Sequence, residues 1–201
     1  MQKKKLLTMV ELALLTAIVI AFQLMGSIIH IGPTSVSLVL IPIVVGAIIV
    51  GPLGGAFLGF VFGAITLWAG ISGADGFTQL LFNAQPIATA LICLGKGTLA
   101  GLCAGLIYRL LQKKNRLLGV FAAAATAPIV NTGLFILGGL TLVSGTLNAT
   151  YASGTTLIYF LVIGCAGLNF VAEFLLNLVV APAINTVVFA VQKQFGRRDY
   201  H

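Results

Sequence analysis

The sequence predicts an all-α integral membrane protein: a six-transmembrane-helix bundle, both termini cytoplasmic, forming a single domain over residues 1–201. Three observations predict it. Of the residues, 59% are hydrophobic and only 7% charged, where a soluble domain carries about 25% charged residues. The apolar runs reach the roughly 20 residues that a helix needs to cross a bilayer core. Ten of the 11 Lys and Arg residues fall in three short clusters, and these orient the bundle.

The first helix is expected near 6–26, directly after Lys3, Lys4 and Lys5. No small-residue cleavage site followed by a polar region ends this run, so it reads as a retained helix and not a signal peptide. It contains the stretch "ELALLTAIVIAF" (Glu11–Phe22), in which Ala13, Ala17 and Ala21 recur every fourth residue. Residues four apart share a helix face, so one side of this helix is a smooth alanine groove. The second helix is expected near 36–50, with about 15 apolar residues, short for a span. The third, near 53–71, carries a stripe of Gly51, Gly55, Gly59 and Gly63. The fourth, near 87–110, carries Gly97, Gly101 and Gly105. In lipid, helices associate through such small faces, and both glycine stripes read as bundle-forming contacts. The fifth and sixth helices are expected near 117–142 and 158–190.

Parity joins these elements. Arg109, Lys113, Lys114 and Arg116 form the central basic cluster, and Lys193, Arg197 and Arg198 the last one. Short basic segments stay in the cytoplasm, so an even number of crossings separates each pair of clusters. Merging 36–71 into one helix would give three crossings and place the central cluster outside. The net charge of +7 thus reports orientation and contact with anionic inner-leaflet lipid. No basic face accompanies it, and no nucleic-acid partner is expected.

The segments on the opposite side, 26–36, 71–86 and 143–157, are long, rich in Gly, Ser, Thr and Asn, and free of Lys and Arg. Long loops with turn chemistry on one side only are where a binding site or lid is expected. Catalytic chemistry is not. His30 and His201 are the only histidines, and no Ser–His pair or two-aspartate motif is present. Cys93, Cys103 and Cys165 lie in apolar runs without ligand spacing, which argues against a disulfide framework or a metal site. "LGKGT" (94–98) has Ala90 where a phosphate loop needs its first Gly, and Gly97 where Ser or Thr should follow the Lys. No cofactor is expected. Without a nucleotide site, the chain cannot energise transport by itself. An independent channel or carrier would be supported by an inverted repeat between the halves, and none is visible.

A short set of polar residues inside the helices remains. Lys96 is the one basic residue outside the clusters, and Glu173 the one acid deep in a helix. Charges in the membrane usually face a cavity or a partner. At ~1.5 Å per residue, Lys96 lies about 14 Å from the outer end of its helix, Asn131 and Asn169 about 17 Å, and Glu173 about 23 Å. Asn169, Glu173 and Asn177 are spaced by four and form one polar stripe. Two readings follow: a structural Lys96–Glu173 ion pair with bundling amides, or a polar cavity beneath the outer loops.

The chain resembles the substrate-binding S components of energy-coupling factor (ECF) vitamin transporters over nearly its whole length. The resemblance rests on six helices in about 200 residues, both termini inside, and the Ala13–Ala17–Ala21 repeat. It rests also on "IPIVVGAIIVGPLGGAFLGFVFG" (41–63), which looks like this family's turn between helices 2 and 3. The resemblance implies a bacterial plasma-membrane subunit that is not an enzyme. Its alanine motif would dock onto a transmembrane coupling protein (the T component) resting on two ATPase subunits. It also implies a vitamin held at the outer side by helices four to six, capped by the first and third outer loops, and delivered by toppling of the whole subunit. Candidate substrate-binding residues are then His30, Thr34, Ser35, Asn83, Gln85, Lys96, Asn131, Asn169 and Glu173, with Ala13, Ala17 and Ala21 as the docking residues.

A lone Lys96 suits a monoanion such as pantothenate, its carboxylate on the ammonium and amides on its hydroxyls and amide group. Folate, a dianion, would call for more cations and stacking. Thiamin would favour an unpaired acid with aromatic walls. If Glu173 neutralises Lys96, riboflavin or hydroxymethylpyrimidine becomes equally suitable. Phe77, Phe82, Tyr151 and Tyr159 near the outer loops could serve either case.

Overall fold

The computed structural model describes residues 2–26, 30–31, 34–35, 38–150 and 156–194, with side chains over 5–25, 38–150 and 156–191 and at Lys193. In chain order these are α1 (Gln2–Gly26), a hairpin of β1 (His30–Ile31) and β2 (Thr34–Ser35), and α2 (Leu40–Ile49). There follow α3 (Pro52–Ser72), α4 (Gly76–Ala84), α5 (Pro86–Leu111), α6 (Arg116–Thr141) and α7 (Ser144–Thr150). The last span begins with α8 (Leu157–Tyr159), continues as a π-helix (Phe160–Gly167) and ends as α9 (Leu168–Gln194).

Among the described residues, five helical segments are long and apolar enough to cross a membrane: Lys5–Met25, Pro52–Ser72, Pro86–Leu111, Arg116–Thr141 and Leu157–Val191. Large apolar side chains, among them Leu53, Trp68, Ile87, Leu168 and Val179, project outward from the bundle. That is the coat expected where the solvent is lipid. The expected second helix is shorter than its apolar run. Among the described residues α2 has 10 residues, about 15 Å, half of a ~30 Å hydrocarbon core. It ends at Gly51, whose φ of 109° is a conformation that glycine adopts without strain, and Pro52 then opens α3 at a position that needs no N–H. α2 is nevertheless central. Val44, Ala47 and Ile48 pack in one core cluster with α5, α6 and α9, while Leu40 and Ile43 pack in another with α1 and α3.

The glycine stripes meet each other. A methyl group added at Gly59 would collide with the Gly97 carbonyl, and one at Gly97 with the Gly59 carbonyl. Gly55 and Gly101 are related in the same way, and Gly63 abuts the Cys93 carbonyl. α3 and α5 thus pack backbone to backbone, as small faces permit in lipid. Gly59→Leu is expected to force these helices apart and destabilise the bundle by at least the ~1–3 kcal/mol of an overpacked core. A thermal unfolding midpoint equal to the wild type would contradict this packing.

α1 lies at the periphery. Leu15, Val19 and Gln23 face inward, and Gln23 Nε2 donates to Thr66 Oγ1 of α3 at 3.3 Å. Ala13, Ala17 and Ala21 are offset from these by two residues, about 200° around a helix, and all three are exposed.

The outer segments hold more helix than their loop-like composition suggests. Segment 71–86 contains α4, because Asp75 caps it: its carboxylate accepts from Phe77 N at 3.1 Å, Thr78 N at 3.3 Å and Thr78 Oγ1 at 2.7 Å. Phe77, Thr78 and Leu81 then form one buried face. Segment 143–157 begins with α7, anchored by buried Val143 and Leu147. α6 and α9 run antiparallel, since Arg116 at the start of α6 donates to the Asn185 carbonyl of α9 at 3.1 Å and stacks on Phe189.

Candidate binding site

The lysine inside the bundle borders a cavity beneath the outer segments. Thr89, Cys93 and Lys96 stand at i, i+4 and i+7 of α5, one helix face, and all three line it. Phe77 and Thr78 of α4, Phe135 of α6 and Leu147 of α7 contribute further wall. The Lys96 ammonium lies 5.7 Å from the centroid of Phe62 and 5.5 Å from that of Phe135, within cation–π range of both. The ammonium thus sits between two aromatic rings.

The cavity is small, about 30 Å³, which suffices for water but is far below the roughly 300–1,000 Å³ of small-molecule sites. Its roof is built from α4 and α7. Phe77, Thr78, Leu81 and Leu147 face the cavity below. Gly76, Gln79, Asn83, Thr146 and Thr150 face an open cleft of about 560 Å³ above. A small molecule does not fit this cavity with the roof in the position seen here.

The structure distributes the expected site residues over three levels. Asn83 is exposed on the upper face of the roof. Gln85 joins α4 to α5, and its carbonyl accepts from Thr89 Oγ1 at 2.9 Å. The expected loop residues His30, Thr34 and Ser35 belong to the hairpin, in which His30 pairs with Ser35 and Ile31 with Thr34. The side chains of these three, together with Tyr151, lie outside the described residues.

Below the cavity, Asn131, Asn169, Glu173 and Asn177 are all buried on α6 and α9. Asn131 is one turn inward of Phe135. Asn169 Nδ2 donates to the Cys165 carbonyl at 3.2 Å, and Asn177 Nδ2 to the Glu173 carbonyl at 2.8 Å. None of the four lines the cavity, so among the described residues Lys96 is the one expected contact that does.

Sequence reasoning missed Phe62, Phe135, Thr78 and Thr89 as neighbours of this site. The i, i+4, i+7 spacing of Thr89, Cys93 and Lys96 was a usable signal. Phe62 reaches Lys96 through the α3–α5 glycine contact, which no local pattern reveals. Lys96 also borders a second opening, a groove of about 230 Å³ between α5 and α6 lined by Leu91, Gly95, Leu99, Leu134 and Leu137.

A family model described as the ECF transporter, substrate-specific component, matches residues 7–185. No curated protein matches the chain significantly. The family match spans α1 to most of α9 and so includes the cavity, the buried polar stripe and the exposed alanine face. This chain belongs to the substrate-specific components of ECF transporters, multi-pass plasma-membrane subunits that bind a vitamin substrate for a T-component and ATPase module and are not enzymes.

Proposed function

We propose that this subunit binds a vitamin carrying a single negative charge, of which pantothenate fits best. The observation that carries the reading is Lys96: one ammonium in the cavity wall, flanked by Phe62 and Phe135. A carboxylate on this ammonium would form a charge-assisted hydrogen bond in a site shielded from water. Thr78 and Thr89 lie within the same walls and offer hydroxyl oxygens to the polar groups of the ligand. Asn131, Asn169 and Glu173 would complete its floor once the roof opens, while Asn83, Gln85, His30, Thr34 and Ser35 would belong to the covering elements.

In the same reading the short α2 and the five long helices complete six crossings, with both termini cytoplasmic as the basic clusters require. The coupling protein docks on the exposed Ala13, Ala17 and Ala21, where small side chains let a partner helix approach closely. The loaded subunit delivers its vitamin by toppling against that protein.

Mass spectrometry of small molecules that co-purify with the protein tests the ligand class. A carboxylate monoanion such as pantothenate is expected. Riboflavin or another neutral vitamin as the stoichiometric ligand would overturn the assignment and leave Lys96 to be explained by packing.

A further inference from the structure

We propose that Phe62 is a positioning residue of the vitamin site, holding the Lys96 ammonium at the cavity wall without touching the ligand. The inference deepens the proposed function and rests on its reading of Lys96 as the anchor of a vitamin carboxylate.

Lys96 has space on two sides. It borders the cavity beneath the roof and also the groove of about 230 Å³ between α5 and α6. Its ammonium ends a flexible four-carbon stem, which by itself would not keep the charge at one of these spaces. Fixing such a side chain costs rotamer freedom. The rings over which the ammonium lies, Phe62 at 5.7 Å and Phe135 at 5.5 Å, offset that cost, because the negative face of an aromatic ring attracts a cation.

The two rings are not equivalent. Phe135 lines the cavity, and its centroid lies 6.0 Å from that of Phe77 in the roof, so it is placed to touch a ligand directly. Phe62 is not among the residues that line the cavity. It is 1% exposed and belongs to the core cluster of Leu15, Val19 and Leu58. Its backbone is tied as well. The Phe62 carbonyl accepts from Thr66 Oγ1 at 3.0 Å, and Thr66 Oγ1 accepts from Gln23 Nε2 of α1 at 3.3 Å.

The ring can lie beside Lys96 because the next residue of α5 has no side chain. A Cβ added at Gly97 would stand 2.9 Å from Phe62 Cδ1. A fixed ring against the ammonium, but outside the cavity, is not displaced when a carboxylate arrives. It does not compete with the ligand; it lowers the ordering cost of binding by keeping the charge in place beforehand.

The test compares the wild type with Phe62→Leu and with a variant carrying trifluorophenylalanine in place of Phe62, which keeps the ring shape and weakens its negative face. Each folded protein is titrated with pantothenate and with its neutral alcohol analogue. Both changes are expected to weaken pantothenate binding by about 3- to 10-fold, the scale for immobilising one long side chain, and to leave alcohol binding unchanged. A wild-type ratio of acid to alcohol affinity in the fluorinated variant would overturn the proposal, since a role in packing alone is satisfied by shape.

A second measurement needs no vitamin. In protein with isotope-labelled lysine, the Lys96 ε-methylene, identified by its loss in Lys96→Arg, is expected to give two separate, ring-shifted proton signals. In Phe62→Leu they should merge at the position of the surface lysines. Unchanged signals in Phe62→Leu would overturn the proposal, as would wild-type signals already merged there. Signals that merge in Phe62→Leu, with equal wild-type affinity for acid and alcohol, would leave Phe62 holding the ammonium and remove the carboxylate reading. Tighter wild-type binding of the acid, with signals unchanged in Phe62→Leu, would do the reverse.

Discussion

Replacing Lys96 with alanine is expected to lower the affinity for an anionic vitamin by roughly 30- to several-thousand-fold. The basis is the about 2–5 kcal/mol typical of truncating one partner of a buried charge pair. The effect should be large because the ammonium borders a cavity walled by Phe135 and Ile92 and also lies beside the Phe62 ring, where little water screens it. Lys96→Arg should also bind poorly, since a planar guanidinium is larger than the compact ammonium seated between the two rings. Asn131→Ala and Asn169→Ala, which remove neutral groups, should lose less, about 1–3 kcal/mol. Isothermal titration of each folded variant supplies the comparison. Wild-type affinity in Lys96→Ala would remove this residue from the site.

The second large effect concerns the partner. Ala13→Leu and Ala17→Leu are each expected to abolish vitamin uptake in cells while leaving vitamin affinity of the isolated subunit unchanged. Both alanines are exposed on the face of α1 opposite the buried Leu15, Val19 and Gln23. A larger side chain there disturbs no internal packing, but it holds a partner helix away from the backbone. Co-purification with the coupling protein should weaken in parallel. Normal complex formation by both variants would assign this face to lipid.

Much of the architecture was legible in the sequence because in a bilayer the signals are coarse and strong. Helix positions followed from apolar length, and the glycines spaced by four marked close-packing faces without showing that α3 and α5 would meet. α4 and α7 were less visible, because their Gly, Ser, Thr and Asn content resembles that of loops. α4 depends on a single capping residue, Asp75, and on three inward side chains, Phe77, Thr78 and Leu81. The apolar run around α2 gives no sign of where helix begins within it, since a buried run looks the same whether or not it is helical.

The site itself was only partly legible. Lys96 stood out because a charge inside an apolar helix is costly enough to demand a reason. Its aromatic neighbours come from α3 and α6, and their meeting depends on tertiary packing. The residues expected to share one polar cavity are separated: a small space borders Lys96, while the amides and Glu173 are buried apart from it. Depth along a helix axis could not separate these, because it carries no information on which way each side chain points.

The central claim is that one ammonium selects a vitamin carboxylate, and a paired titration tests it most directly. Purified wild-type protein would be titrated with pantothenate and with its neutral alcohol analogue, which differ only in that group. The account predicts binding of the acid about 30-fold or more tighter than the alcohol, with the difference lost in Lys96→Ala. Equal wild-type affinities for acid and alcohol would contradict it and move the assignment to a neutral vitamin.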